Sequence, residues 1–122
     1  MTIIKKFIVT GVIAASFAST ANAATALISG VRVTRLTTDS ASFTGCLVRL
    51  DVDPQATLPN CGANHVVLDC DGTLGTPRSV SSSLFSAAQL ALVTQNSMRI
   101  RVDDSRISNG FCIATRIDNN TN

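Results

Sequence analysis

The sequence has no tryptophan, no tyrosine and no glutamate; its only histidine is His65, and its only lysines are Lys5 and Lys6. It also lacks a run of roughly 20 consecutive apolar residues, the length that spans a bilayer, because Thr10 and Gly11 interrupt the stretch Phe7 to Phe17 and Ser19, Thr20 and Asn22 follow it. With 122 residues the chain has room for one small domain, which excludes a multidomain enzyme. At 45% hydrophobic and 15% charged residues it is too apolar for a disordered tail.

What is present at the start has the three-part form of a secretory leader. Lys5 and Lys6 form the positive end, Phe7 to Phe17 the apolar middle, and Ala21, Asn22 and Ala23 the small-residue cleavage site. Residues 1–23 are expected to be removed before Ala24. The remaining 99 residues carry eight arginines and eight aspartates, so the mature net charge is zero. That balance argues against binding nucleic acid or an anionic membrane surface, both of which need clustered positive charge. Cys46, Cys61, Cys70 and Cys112 all lie in the exported part, where disulfides are the expected state of a small domain. Export to the periplasm or the outside of a bacterial cell is the expectation.

The absences also bear on chemistry. The cysteine intervals of 15, 9 and 42 positions contain no C-x2-C pair, and one histidine cannot complete a zinc site, so no metal or other cofactor is expected. His65 is the sole candidate general base and no nucleophile motif accompanies it. With no glutamate and each aspartate at a strand edge or turn, paired-carboxylate catalysis lacks support. Asp69, Asp71 and Gly72 imitate the opening of a calcium loop without its later acidic ligands, and read as a turn. Asn119 to Thr121 matches a glycosylation acceptor that means little in a bacterial chain. The expectation is a protein without enzymatic activity.

Along the mature chain, residues 26–36 form a Val-, Ile- and Thr-rich strand with one irregularity, because Leu36 falls out of phase with Val31 and Val33. Residues 43–52 alternate cleanly, with Cys46, Val48, Leu50 and Val52 on one face. Residues 54–64 read as a loop and 64–71 as the next strand. Pairing the two strands with Cys46 opposite Cys70 puts Val48 opposite Leu68 and Leu50 opposite Val66, and brings that cysteine pair close enough for a bridge. A helix is expected over residues 81–95, N-capped by serine, with Leu84, Ala87, Ala88, Ala91 and Leu92 on its apolar face. Leu90 and Val93 fall on the other side. They read either as ordinary exposed apolar residues or as a surface covered by a partner. Strands follow at 97–103 and 111–117, separated by a turn at 104–110. The second has Phe111, Ile113, Thr115 and Ile117 on one face and Cys112, Ala114 and Arg116 on the other.

The order is three strands, one helix and two strands, which suits a mainly β domain built as a small five-stranded Greek-key barrel. A helix between strands 3 and 4 is the hallmark of the OB-fold. Ser82 to Asp104 (SSLFSAAQLALVTQNSMRIRVDD), followed by Gly110 to Asp118 (GFCIATRID), resembles the helix-then-strand half of bacterial AB-type toxin binding subunits of the subtilase-cytotoxin and pertussis-like group. So do the cysteines of strands 2 and 3, Cys46 in TGCLV and Cys70 in VVLDC.

The resemblance implies pentameric rings whose helices line a central pore, which would put Leu90 and Val93 against neighbouring helices, and it implies a carbohydrate ligand. It further implies parallel third and fifth strands, and hence two disulfides, Cys46 with Cys70 and Cys61 with Cys112. Family members hold sugars with aromatic and hydroxyl side chains, whereas the aromatics of this mature chain are Phe43, Phe85 and Phe111. Arg99 and Arg101 on one outward face, with Arg116 on the adjacent strand, form a candidate site for a carboxylate-bearing ligand such as a sialic acid. More often such arginines simply pair with neighbours, here Asp103, Asp104 and Asp118, on a solvated sheet face. The expected function is that of an exported, ring-forming, carbohydrate-binding protein. The alternative is a monomeric periplasmic protein that binds or inhibits a protein partner.

Overall fold

The computed structural model describes residues 24–119, so the expected leader at 1–23 and the end of the polar tail lie outside the described residues. The expected first strand is two strands, β1 (Thr25–Val31) and β2 (Val33–Thr38), broken at Arg32. Gly30, at φ +68°, takes a backbone conformation open to glycine, and the ladder slips between Ile28 and Val31. Arg32 then turns to Asp51: its N–H donates to Asp51 Oδ1 at 2.7 Å, and its carbonyl accepts from Asp51 N at 3.0 Å. Val31 and Val33 on either side are fully buried. The irregularity read at Leu36 is present as a register shift between Val33 and Arg35 that returns Leu36 to the core, and the break at Arg32 is a second one.

β3 (Cys46–Leu50) and β4 (His65–Leu68) follow, then the helix α1 (Arg78–Thr94), β5 (Met98–Ser108) and β6 (Phe111–Asn119). The result is a mainly β domain with one helix. Its sheet has six strands in the order β1-β5-β6-β4-β3-β2, open between β1 and β2, in place of the expected closed five-stranded barrel. The helix accordingly lies between the fourth and fifth strands. Because the two edge strands are consecutive in the chain and joined through Arg32 alone, the sheet curls until its edges meet at that residue. β4 and β6 are parallel through Val67 and Ile113, and the other pairs are antiparallel.

The β3/β4 register differs by two residues from the expectation: Cys46 lies opposite Leu68, Leu47 opposite Val67, Val48 opposite Val66 and Arg49 opposite His65. A two-residue slip preserves which side chains face inward, so the hydrophobic pattern cannot distinguish the two registers. The cysteines still meet. β4 ends at Leu68, Cys70 N donates back to Leu68 O at 2.8 Å, and Asp71 N donates to Thr44 O at 3.0 Å. This turn returns Cys70 to Cys46 with their Cα atoms 5.9 Å apart. The second bridge joins Cys61 to Cys112, Cα atoms 5.2 Å apart.

α1 starts three residues before the expected position, because Pro77 at φ −57° presets the first turn, and no serine side chain caps it. Ser81, buried, instead donates its hydroxyl to Asp69 O at 2.6 Å and ties the helix to the loop after β4. Leu84, Ala88 and Ala91 pack beneath it on Val31, Val33, Val48, Leu50, Val66, Leu68, Met98, Ile100 and Val102. Each fully buried Val, Leu or Ile stabilises the fold by about 1.5–3 kcal/mol relative to exposure. β5 runs through the residues expected as a turn, because Asn109 and Gly110, at φ +52° and +85°, close a tight hairpin by themselves.

Candidate ligand-binding face

The arginines expected to receive a ligand lie on the outward face of β5 and β6. Asp118 is directly opposite Arg99 and binds it, through Nε at 3.2 Å and Nη2 at 3.0 Å to Oδ2, while its Oδ1 accepts from Arg116 Nε at 2.9 Å. One carboxylate thus occupies two of the three guanidinium groups. Hydrogen bonding from Arg116, against partial desolvation and aided by Arg99, holds the Asp118 carboxyl below its ordinary range. Arg101 sits opposite Arg116 on one side and Leu27 of β1 on the other, and among the described residues it has no carboxylate within ion-pair distance. The strand β6 changes phase near Thr115: Cys112 and Ala114 face the core, as do Ile117 and the β5 residues Ile100 and Val102, whereas Ile113 and Arg116 lie on the other face. The simple alternation expected for this strand is corrected by that bulge.

A second set of basic side chains crosses the other half of the sheet, and the alternation of β2, β3 and β4 places it. Arg35 is the direct partner of Arg49, and Arg49 of His65, so the three stand in a row on the outward face. Like charges directly opposite each other are unfavourable. Yet among the described residues neither Arg35 nor Arg49 has a carboxylate within ion-pair distance. The row ends on aromatic surface, the His65 ring lying 5.1 Å from that of Phe111, which lies 6.0 Å from Phe43. His65 Nδ1 is 2.9 Å from Ala63 O. Beside the row, Leu47, Val67 and Ile113 are buried on this outward face under Phe43, Leu74 and Phe111.

This face was missed in the sequence, where Arg35, Arg49 and His65 are far apart and only cross-strand register brings them together. A usable signal was the apolar outward set of the strands, Leu47 beside Arg49 and Val67 beside His65. A further concavity of about 320 Å³ lies between α1 and the Cys46–Cys70 bridge, lined by Ser81, Ser82, Phe85 and Ser86.

The calcium-like segment is a turn. Asp69, fully buried, accepts from Leu74 N at 3.1 Å and Thr76 N at 2.8 Å. Asp71 accepts from Thr73 N and Oγ1, and these bonds keep its carboxyl below the ordinary range. Among the described residues no group of three or more potential ligands is placed to hold a metal, and none of the cysteines is free. Nor is any described helix long and apolar enough to cross a membrane.

On α1, Leu90 and Val93 are 54% and 81% exposed, as their helical positions require. They lie on a face completed by Ser79, Ser82, Ser83, Ser86 and Gln89, and no charged residue occurs between Arg78 and Arg99. Comparison with known proteins returned no match, whether to family models, curated proteins or solved structures.

Proposed function

We propose that this chain is an exported, non-enzymatic binding protein that assembles into a ring, possesses the OB architecture of toxin binding subunits and recognises carbohydrate. The observation that carries the reading is the outer face of α1: a 17-residue helix without a charge after Arg78, bearing Leu90 and Val93, on a mature chain otherwise studded with arginine and aspartate. Helices solvated on one side normally carry charge there, and an uncharged face suits contact with copies of itself. The architecture has support in β1 and β2, which fit the two halves of one bent first strand, in the parallel β4/β6 pair, and in the helix that follows β4 and precedes β5.

The ligand is proposed to bind across Arg35, Arg49 and His65, with Phe111 offering a ring face, rather than at Arg99 and Arg116, whose guanidinium groups Asp118 already engages. Two guanidinium groups beside an aromatic suit a carboxylate-bearing sugar such as a sialic acid. The native mass of the oxidised, exported protein tests the assembly. A pentamer is expected, and Leu90→Asp or Val93→Asp is expected to give folded monomers, since an unpaired charge is costly to bury. A monomeric parent protein overturns the ring and favours the binding of a protein partner through the Phe43 and Phe111 surface. Sialylated and neutral glycans tested on the parent protein and on Arg49→Gln then decide the ligand. Binding of sialylated glycans that Arg49→Gln abolishes supports the reading, and equal binding by both proteins overturns it.

A further inference from the structure

We infer that the chain has a receptor for its own processed N-terminus, the carboxylate of Asp104. Ala24 N lies 2.7 Å from Asp104 Oδ1, and Ala24 O accepts from Asp104 N at 3.0 Å, so the two residues are locked in the ladder that pairs Thr25 with Asp103 next to them. Ala24 is half-buried and packs against the core, and this contact joins positions 80 residues apart. Among the described residues the half-buried Asp104 carboxylate has this one hydrogen bond and no arginine within ion-pair distance. Its neighbour Asp103, by contrast, holds Ser105 and Arg106.

In the uncleaved chain Ala24 N is a neutral amide. Hydrolysis of the Ala23–Ala24 bond leaves a carboxylate on the departing leader and an amine on Ala24, which is protonated at neutral pH. The same atom, in the same place, then carries a full positive charge and three donors, and a hydrogen bond charged only on the carboxylate side becomes an ion pair. Removal of the leader therefore completes an ion pair at the end of β1, which makes the mature domain more stable than its precursor. Fixed pairing in the ladder makes the device specific to a chain that starts at Ala24.

The inference rests on the reading of an exported, cleaved protein, and mass measurement separates that reading from the ion pair itself. The mass of the protein isolated after export is expected to correspond to residues 24–122, and any other start overturns the inference. The mature chain contains no lysine, so its α-amine is the only amine that acetic anhydride can acetylate stably. Acetylation is expected to lower the Tm by several degrees in the parent protein and to have little effect in Asp104→Asn. Equal shifts in the two proteins, or none in either, overturn the inference. Reaction rate is an independent readout that needs no variant: the amine of the folded parent is expected to acetylate several-fold more slowly than that of the denatured chain at the same pH. Equal rates count against the pair.

Discussion

At the scale of single residues, the aspartates serve mainly as backbone acceptors. Asp39 binds Ala41 N and Ser42 N, Asp53 binds Gln55 N and Asn64 N, and Asp69 closes the loop to Thr76. This use of carboxylates leaves Arg35 and Arg49 side by side, and relief of their repulsion is expected to stabilise the fold by about 0.2–1 kcal/mol in Arg49→Gln, read as a higher Tm. A lower Tm would show that Arg49 has a structural role instead. Asp118 sets a pH dependence. Its folded pKa lies below the unfolded value of about 3.9, so its contribution is present above that value and is lost as pH falls through the folded one. Between pH 5 and pH 2, Asp118→Asn is therefore expected to lose less stability than the parent protein in acid titrations followed by circular dichroism; parallel curves would exclude Asp118 from the acid response. Gly62 packs flat against the site, where an added Cβ would meet the Phe111 ring at 2.5 Å and Gly110 O at 2.7 Å. Gly62→Ala is expected to cost about 1–3 kcal/mol by overpacking, measured by denaturant unfolding, and to displace the Phe111 ring from His65. An unchanged midpoint would mean that the loop yields freely.

At the scale of elements, the alternations of Cys46 to Leu50 and Met98 to Val102 and the spacing of Leu84, Ala88 and Ala91 were legible because burial on one face leaves a period in the sequence. Three features were not, for separate reasons. The two-residue register difference between β3 and β4 leaves every inward residue inward, so only the return of the chain at Cys70 fixes it. The break at Arg32 depends on Asp51, which lies 19 residues away and satisfies the Arg32 N–H. The row of basic side chains exists only through register, since Arg35, Arg49 and His65 come from three strands. The turn expected over 104–110 is confined to Asn109 and Gly110, a length the sequence makes legible, the asparagine and glycine being the usual pair for a turn with positive φ at both positions. Gly110→Val is expected to destabilise the β5/β6 hairpin by about 1–2 kcal/mol, because φ +85° strains any residue with a Cβ. A stability within experimental error of the parent protein would place the strain elsewhere.

At the scale of the whole molecule, the two disulfides close different lengths of chain and sit at different depths. Buried Cys46 and half-buried Cys70 are 24 positions apart beside the concavity under α1, while Cys61 and Cys112 are 51 positions apart and are 2% and 0% exposed. In the chain-entropy account each doubling of the closed loop adds about 0.6 kcal/mol to the constraint on the unfolded state. Burial acts in the same direction, because replacing both buried cysteines with alanine leaves a cavity whose lining loses its contacts. The Cys61 to Cys112 bridge also anchors the loop before β4 to the start of β6, beside the Gly62 and Phe111 contact that shapes the candidate face. Loss of this bridge in Cys61→Ala/Cys112→Ala is therefore expected to cost more than loss of the other in Cys46→Ala/Cys70→Ala, each within about 2–5 kcal/mol. Only the first is expected to disturb the packing of Phe111 on His65. Denaturant midpoints of the two double variants, with the His65 ring resonances as a local probe, measure both effects. A larger loss from the Cys46 to Cys70 pair would mean that the junction of α1 and β3, and not the closure of the long loop, limits the stability of this domain.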